Sequence, residues 1–136
     1  MTASATAYGE VYVYAMSRPG FILQHVVDAS VVQTASADSK PISVVFGLVG
    51  LYLRVEKEFS GREVQRAHTT LARRRRDWPP PFLPENRGSI TVEDVLATEA
   101  GLKRDTAIDD WCRCVWNAFS GNRDLVIALA QELRIG

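Results

Sequence analysis

Two histidines, two cysteines and one run of arginines are the residue types in this chain most suited to chemistry, and their spacing limits what each could do. His25 and Asp28 stand three apart, with Gln33 following a turn and a half later. On a helix the first two are surface neighbours. The stretch His25-Val26-Val27-Asp28-Ala29-Ser30-Val31-Val32-Gln33 is apolar on several sides. All three polar groups are therefore candidates for buried positions, which are costly unless hydrogen-bonded. The plainer reading is an internal polar network that ties helices together. The sharper reading is a ligand or metal pocket, because perturbed buried groups gather at functional sites. His68 lies on the inward face of its own helix, so His25, Asp28 and His68 could supply a His-His-carboxylate metal set inside a helical bundle. Such a site needs three convergent ligands and the chain has only these two histidines, so a core histidine satisfied by a backbone carbonyl is preferred.

Cys112 and Cys114 form a Cys-x-Cys pair. Positions two apart on a helix diverge and cannot chelate one ion together. Cys112 falls in an apolar stripe and reads as an inert buried thiol. Arg73, Arg74, Arg75 and Arg76, followed by Trp78, are the one patch that could take phosphate or RNA, pairing cations with a stacking ring. Four arginines ending a helix before a proline loop read more simply as a solvated terminus with ion pairs to groups such as Asp77 and Glu85. Sixteen basic and 16 acidic residues cancel, which further disfavours nucleic acid as a partner. The chain contains no glycine-rich phosphate loop, Gly-x-Ser-x-Gly elbow, His-Glu-x-x-His or dinucleotide fingerprint, which lowers the case for an enzyme.

The elements that must position these residues read as helices. The chain has 136 residues, 46% hydrophobic and 24% charged, the size and make-up of one ordinary globular domain. Met1 to Ala7 reads as a flexible tail, and residues 8–136 as a single helical domain. Val11 to Tyr14 reads as a short helix, and Arg18-Pro19-Gly20 breaks it. A helix follows near Pro19 to Ala35, then another from Pro41 to Phe59 with Ser39 as its cap. This second helix is apolar all round until Arg54 and belongs in the middle of a bundle. Gly47 and Gly50 cost it stability, so a closely approaching neighbour helix is the expected compensation. Ser60 and Glu63 form a capping-box signature opening a helix that ends in the arginine run. Trp78-Pro79-Pro80-Pro81-Phe82-Leu83-Pro84 enforces an extended segment. Thr91 to Asp94 opens a short helix that stops by Gly101. A stripe of Ile108, Trp111, Cys112, Val115 and Phe119 marks another, and Asn122 is the expected cap of a last helix with Leu125, Leu129 and Leu133 inward. The expected architecture is an all-α, compact bundle of five or six helices with a Pro-rich loop between the third and fourth.

Val27-Asp28-Ala29 with Gln33, the Gly47-Leu48-Val49-Gly50-Leu51 helix, Ile90-Thr91-Val92-Glu93-Asp94-Val95-Leu96, and Trp111 with Val115-Trp116 together resemble a bacterial family catalogued as domain of unknown function 5946. The resemblance runs from about Tyr8 to the end. Ser30 stands where that family usually has Tyr, Thr34-Ala35 replace its His-Pro, and His25 does not fall on its upstream His. The cysteine-bearing N-terminal stretch of many members is missing. Where those groups serve a metal, the resemblance implies that this chain has lost it, which favours a structural role for Asp28 and Gln33. The family has no established activity.

The function expected on these grounds is a non-catalytic binding or interaction module without a cofactor. Exposed aromatic surface on the Trp78–Pro84 loop or beside Trp116 would contact a protein partner or a second copy. The alternative is a divalent-metal enzyme resembling DinB-type helical bundles, using His25, Asp28 and His68. The weakest is phosphate or RNA capture by the arginines. The two-cysteine count, the lack of an apolar leader and the short longest apolar run (Val44 to Leu53) point to a cytoplasmic chain that does not engage membranes.

Overall fold

A helix that is apolar on every side must be sheathed by other elements, and the long apolar segment after Lys40 forms such a helix. It is called α3 here (Pro41–Lys57). Val44, Val45, Leu48, Val49, Leu51 and Leu53 are all buried on it. Around it pack α2 (Leu23–Gln33), α4 (Gly61–Ala72), α6 (Leu102–Ala118) and α7 (Arg123–Glu132). The computed structural model describes residues 3–74 and 77–135. Among them are seven α-helices and no strand, the remaining two being α1 (Ala3–Met16) and α5 (Val92–Ala97). No helix among the described residues is long and apolar enough to cross a membrane.

The count exceeds the five or six expected, and α1 accounts for much of the difference. The sequence reading sees a helix only at Val11 to Tyr14 and a tail before it, whereas the helix begins at Ala3. Ala7, Val11 and Ala15, spaced four apart, form a buried stripe, and α1 packs on α5 and α2. A stripe made largely of alanine has little hydropathy contrast, so its period is faint in the sequence. Packing rather than pattern stabilises the helix. With α1 counted, the Pro-rich segment lies between α4 and α5 rather than between a third and a fourth helix.

Local capping chemistry holds elsewhere. Ser60 Oγ accepts the Glu63 amide at 3.2 Å while Glu63 Oε1 accepts the Ser60 amide at 3.0 Å, the reciprocal capping box. Asp94 Oδ2 reaches back to the Thr91 amide at 2.9 Å. Two expected caps differ. Lys40 takes the cap position of α3 with Pro41 in its first turn, and Ser39 Oγ instead accepts the Ser36 amide at 3.0 Å. Asn122 does not cap α7 with its side chain. Its Oδ1 accepts the Phe82 amide at 2.7 Å and its Nδ2 donates to the Phe82 carbonyl at 2.8 Å. An extended proline-rich segment has no ladder partner for its backbone groups, and the buried Asn122 amide supplies one.

Candidate functional site

The polar residues of α2 divide between two places. Asp28 is 3% exposed and faces α3 at Gly50, where a Cβ would come within 2.0 Å of Asp28 Oδ2. At Gly47, one turn away, a Cβ would meet Val32 Cγ2 at 2.7 Å. The two glycines thus permit the close α2–α3 approach that their cost in the helix implied. Gln24 Nε2 donates to Asp28 Oδ1 at 3.1 Å and lies 3.4 Å from His68 Nδ1, while His68 Nε2 lies 2.8 Å from the Phe46 carbonyl. Because a carbonyl only accepts, the network assigns the proton to Nε2 and leaves the Nδ1 lone pair to the Gln24 amide. Burial pushes Asp28 well above the usual carboxyl range, against the Gln24 hydrogen bond, and burial lowers His68, against its bond to Phe46. Both shifts favour the uncharged forms of His68 and Asp28, whose Nε2 and Oδ1 lie 4.0 Å apart. Asp28 Oδ2 is buried with no partner among the described residues.

His25 does not join them. It is 1% exposed, and burial lowers its pKa to about 4, with the Arg54 charge acting the same way and Asp109 opposing. Arg54 and Asp109 are themselves paired at 2.8 Å across α3 and α6. The Cys112 thiol, buried and pushed up by that burial, donates to the His25 carbonyl at 3.6 Å. No group of three His, Cys, Asp or Glu among the described residues could hold a metal ion. The convergence that the metal-enzyme alternative needs is not met among the described residues, where Asp28 lies with Gln24 and His68 and His25 stands apart. The cluster that does form joins Gln24, Asp28 and His68, whereas the polar network read from the sequence comprises His25, Asp28 and Gln33. Gln24, its bridging member, is absent from the sequence-derived set, although its position four residues before Asp28 is a usable signal.

Gln33 belongs to the second place. Its Nε2 donates to the carbonyls of Arg87 (3.1 Å) and Ile90 (2.8 Å), and its Oε1 accepts the Trp111 indole N–H at 2.9 Å. This one amide joins α2, α6 and the segment leading into α5. Gln33→Ala is expected to lower stability by about 2 kcal/mol, because three part-buried hydrogen bonds, one of them to the buried Trp111, are lost together. Urea unfolding checks this as a lower midpoint at an unchanged slope. Beside this node opens a cleft of about 480 Å³, walled by Tyr8 of α1, Ser30 and Gln33 of α2, Arg87, Glu93 at the start of α5, and Trp111. Tyr8 and Arg87 carry no motif, Glu93 enters the sequence only as part of the segment opening α5, and only the tertiary arrangement brings them to Gln33.

The remaining candidates are dispersed. Arg73 and Arg74 are exposed after α4, which ends at Ala72 rather than in the arginine run. Arg75 and Arg76 lie outside the described residues. The Trp78 ring is half-buried and forms a T-shaped pair with Phe46 at 5.6 Å between centroids. Trp116 is 3% exposed, its indole N–H donating to Glu56 Oε2 at 2.7 Å, so the aromatic surface expected beside it is absent. An indole finds its hydrogen-bond partner inside the fold here. Phe82 alone answers the expectation for the loop, at 61% exposed.

Fold and site together define an all-helical protein with a buried polar cluster in its interior and a lateral cleft built on a glutamine node. The chain belongs to the family of unknown function DUF5946, whose model matches residues 5–120. That span holds both the interior cluster and the cleft and stops short of α7. No curated protein and no solved structure matches the chain.

Proposed function

We propose that this protein is a non-catalytic binding module whose ligand occupies the cleft beside Gln33. The cleft carries this reading. Its volume of about 480 Å³ lies in the range of small-molecule sites, and Tyr8, Val92 and Trp111 give it apolar walls interrupted by a few polar groups. Binding rather than turnover is favoured because two of the polar side chains in the lining are committed to the fold. Gln33 has both ends of its amide engaged, and Arg87 is held on backbone carbonyls. Amide NMR spectra with a mixture of small aromatic fragments test it. Shifts confined to Ser30, Gly88, Thr91 and the Trp111 indole N–H, and abolished by the cleft-filling Ser30→Tyr, are the expected result. Shifts gathered instead on Phe82 and Gly121 would transfer the binding role to the exposed loop, and no shift at all would remove the cleft from consideration.

A further inference from the structure

We infer that the cleft takes a small protonated amine with an apolar body, its ammonium seated on Glu93; this rests on the cleft being the binding site. Most of the polar groups that line the cleft already have partners in the fold. Arg87 donates from Nε to the Pro84 carbonyl at 2.8 Å and from Nη1 to the carbonyls of Gln33 (3.1 Å) and Ala35. Its guanidinium is drawn over the Phe119 ring, 5.6 Å from the centroid. The cation that lines this cleft is thus engaged with the fold itself. The Gln33 amide is engaged at both ends, and the Thr34 and Thr91 hydroxyls donate to Ser30 O and Asp94 Oδ2. Glu93 is different. Its Oε1 is buried and has no hydrogen-bond donor among the described residues.

A buried acceptor without a donor is uncommon in folded proteins and marks a place where a partner belongs. The charge of a carboxylate is shared by both oxygens, so a donor at the outer oxygen compensates the inner one as well. A cationic N–H does this better than a neutral hydroxyl, since charge-assisted hydrogen bonds are roughly twice as strong. An anionic ligand would meet the Glu93 charge, and the Arg87 cation that could offset it is bonded through Nε and Nη1 to the Pro84, Gln33 and Ala35 carbonyls. The apolar remainder of the ligand would lie on Val92 and Trp111, and the Tyr8 ring offers a face that attracts cations.

Isothermal titration at neutral pH with phenethylamine, phenethyl alcohol and phenylpropionate, three probes with like bodies and different heads, tests this. The amine is expected to bind at least about tenfold more tightly than the alcohol, with the acid weakest. Glu93→Gln keeps shape and removes charge. It should weaken the amine about tenfold while leaving the alcohol within about twofold, a charge-selective change that loss of folding would not produce. Glu93→Asp, which keeps the charge but shortens its reach, should give an intermediate loss. Ser30→Tyr should abolish binding of the amine and the alcohol. If the alcohol or acid binds as well as the amine, is blocked by Ser30→Tyr and ignores Glu93→Gln, the cleft stands and the amine assignment is overturned. If no probe binds, or if Ser30→Tyr leaves binding intact, both readings fall.

Discussion

Gly50→Ala is expected to destabilise the protein by about 3 kcal/mol, although alanine is intrinsically the better helix former by about 1 kcal/mol. The new Cβ would stand 2.0 Å from Asp28 Oδ2 and 2.6 Å from its Cγ, distances that no packed pair tolerates. The Asp28 side chain has little freedom to retreat, since it is buried and its Oδ1 accepts from Gln24. Either the helices part or a buried rotamer is forced, and both cost energy in a close-packed interior. The same geometry predicts a rescue. In the Asp28→Ala background the colliding carboxyl is gone, and Gly50→Ala should become neutral or mildly stabilising. A double-mutant cycle from urea unfolding should therefore show a coupling of about 2 kcal/mol or more between the two positions. Additive losses would mean that Asp28 and Gly50 are not in contact.

The second large effect is a dependence of stability on pH that runs through His25. Its folded pKa of about 4 lies below the ordinary histidine value of 6.5, chiefly through burial. Below 6.5 the unfolded chain takes up a proton at this position that the folded chain refuses until about 4. The unfolded state thus binds more protons across that window, and stability falls as the pH falls through it. The loss is about 2 kcal/mol at pH 5 relative to pH 7.5, approaching about 3 kcal/mol below pH 4. His68, lowered in the same direction by burial, adds to the loss. Asp28 opposes it. Its raised pKa means the folded state holds a proton the unfolded state has released, so its contribution is full below about pH 4 and is lost as pH rises through the folded value. Because these terms run in opposite senses, the clean observable is a difference. His25→Leu should gain about 2 kcal/mol on the wild type between pH 7.5 and pH 5, read from urea midpoints at each pH. Parallel pH profiles for the two proteins would rule out a buried neutral His25.

What could be read along the chain, and what could not, follows the range of the interactions concerned. The Ser60–Glu63 capping box and the break at Trp78 to Pro84 arise between residues a few positions apart, and the all-round apolar character of α3 is a periodic property of one segment. Gly47 and Gly50 in that segment already imply a close neighbour, and α2 is the helix that fills the role. The burial of Asp28 and His25 follows from the apolar run that contains them. Even the carbonyl satisfaction of His68 follows from the need of any core imidazole for a partner.

Which polar groups would meet was a matter for the tertiary structure. Gln24 faces His68 across 44 positions, Asn122 grips Phe82 across 40, and Gln33 accepts from Trp111 across 78. His25 and Asp28, three residues apart, differ by only about 60° around a helix, yet that rotation sends one toward Arg54 and Asp109 and the other toward Gly50 and Gln24. Helix rotation and crossing geometry are set by many weak packing contacts acting together, and no short stretch of residues encodes their sum. Segment chemistry therefore specified the helices and their buried faces. The polar cluster and the cleft came into being only when those faces locked together.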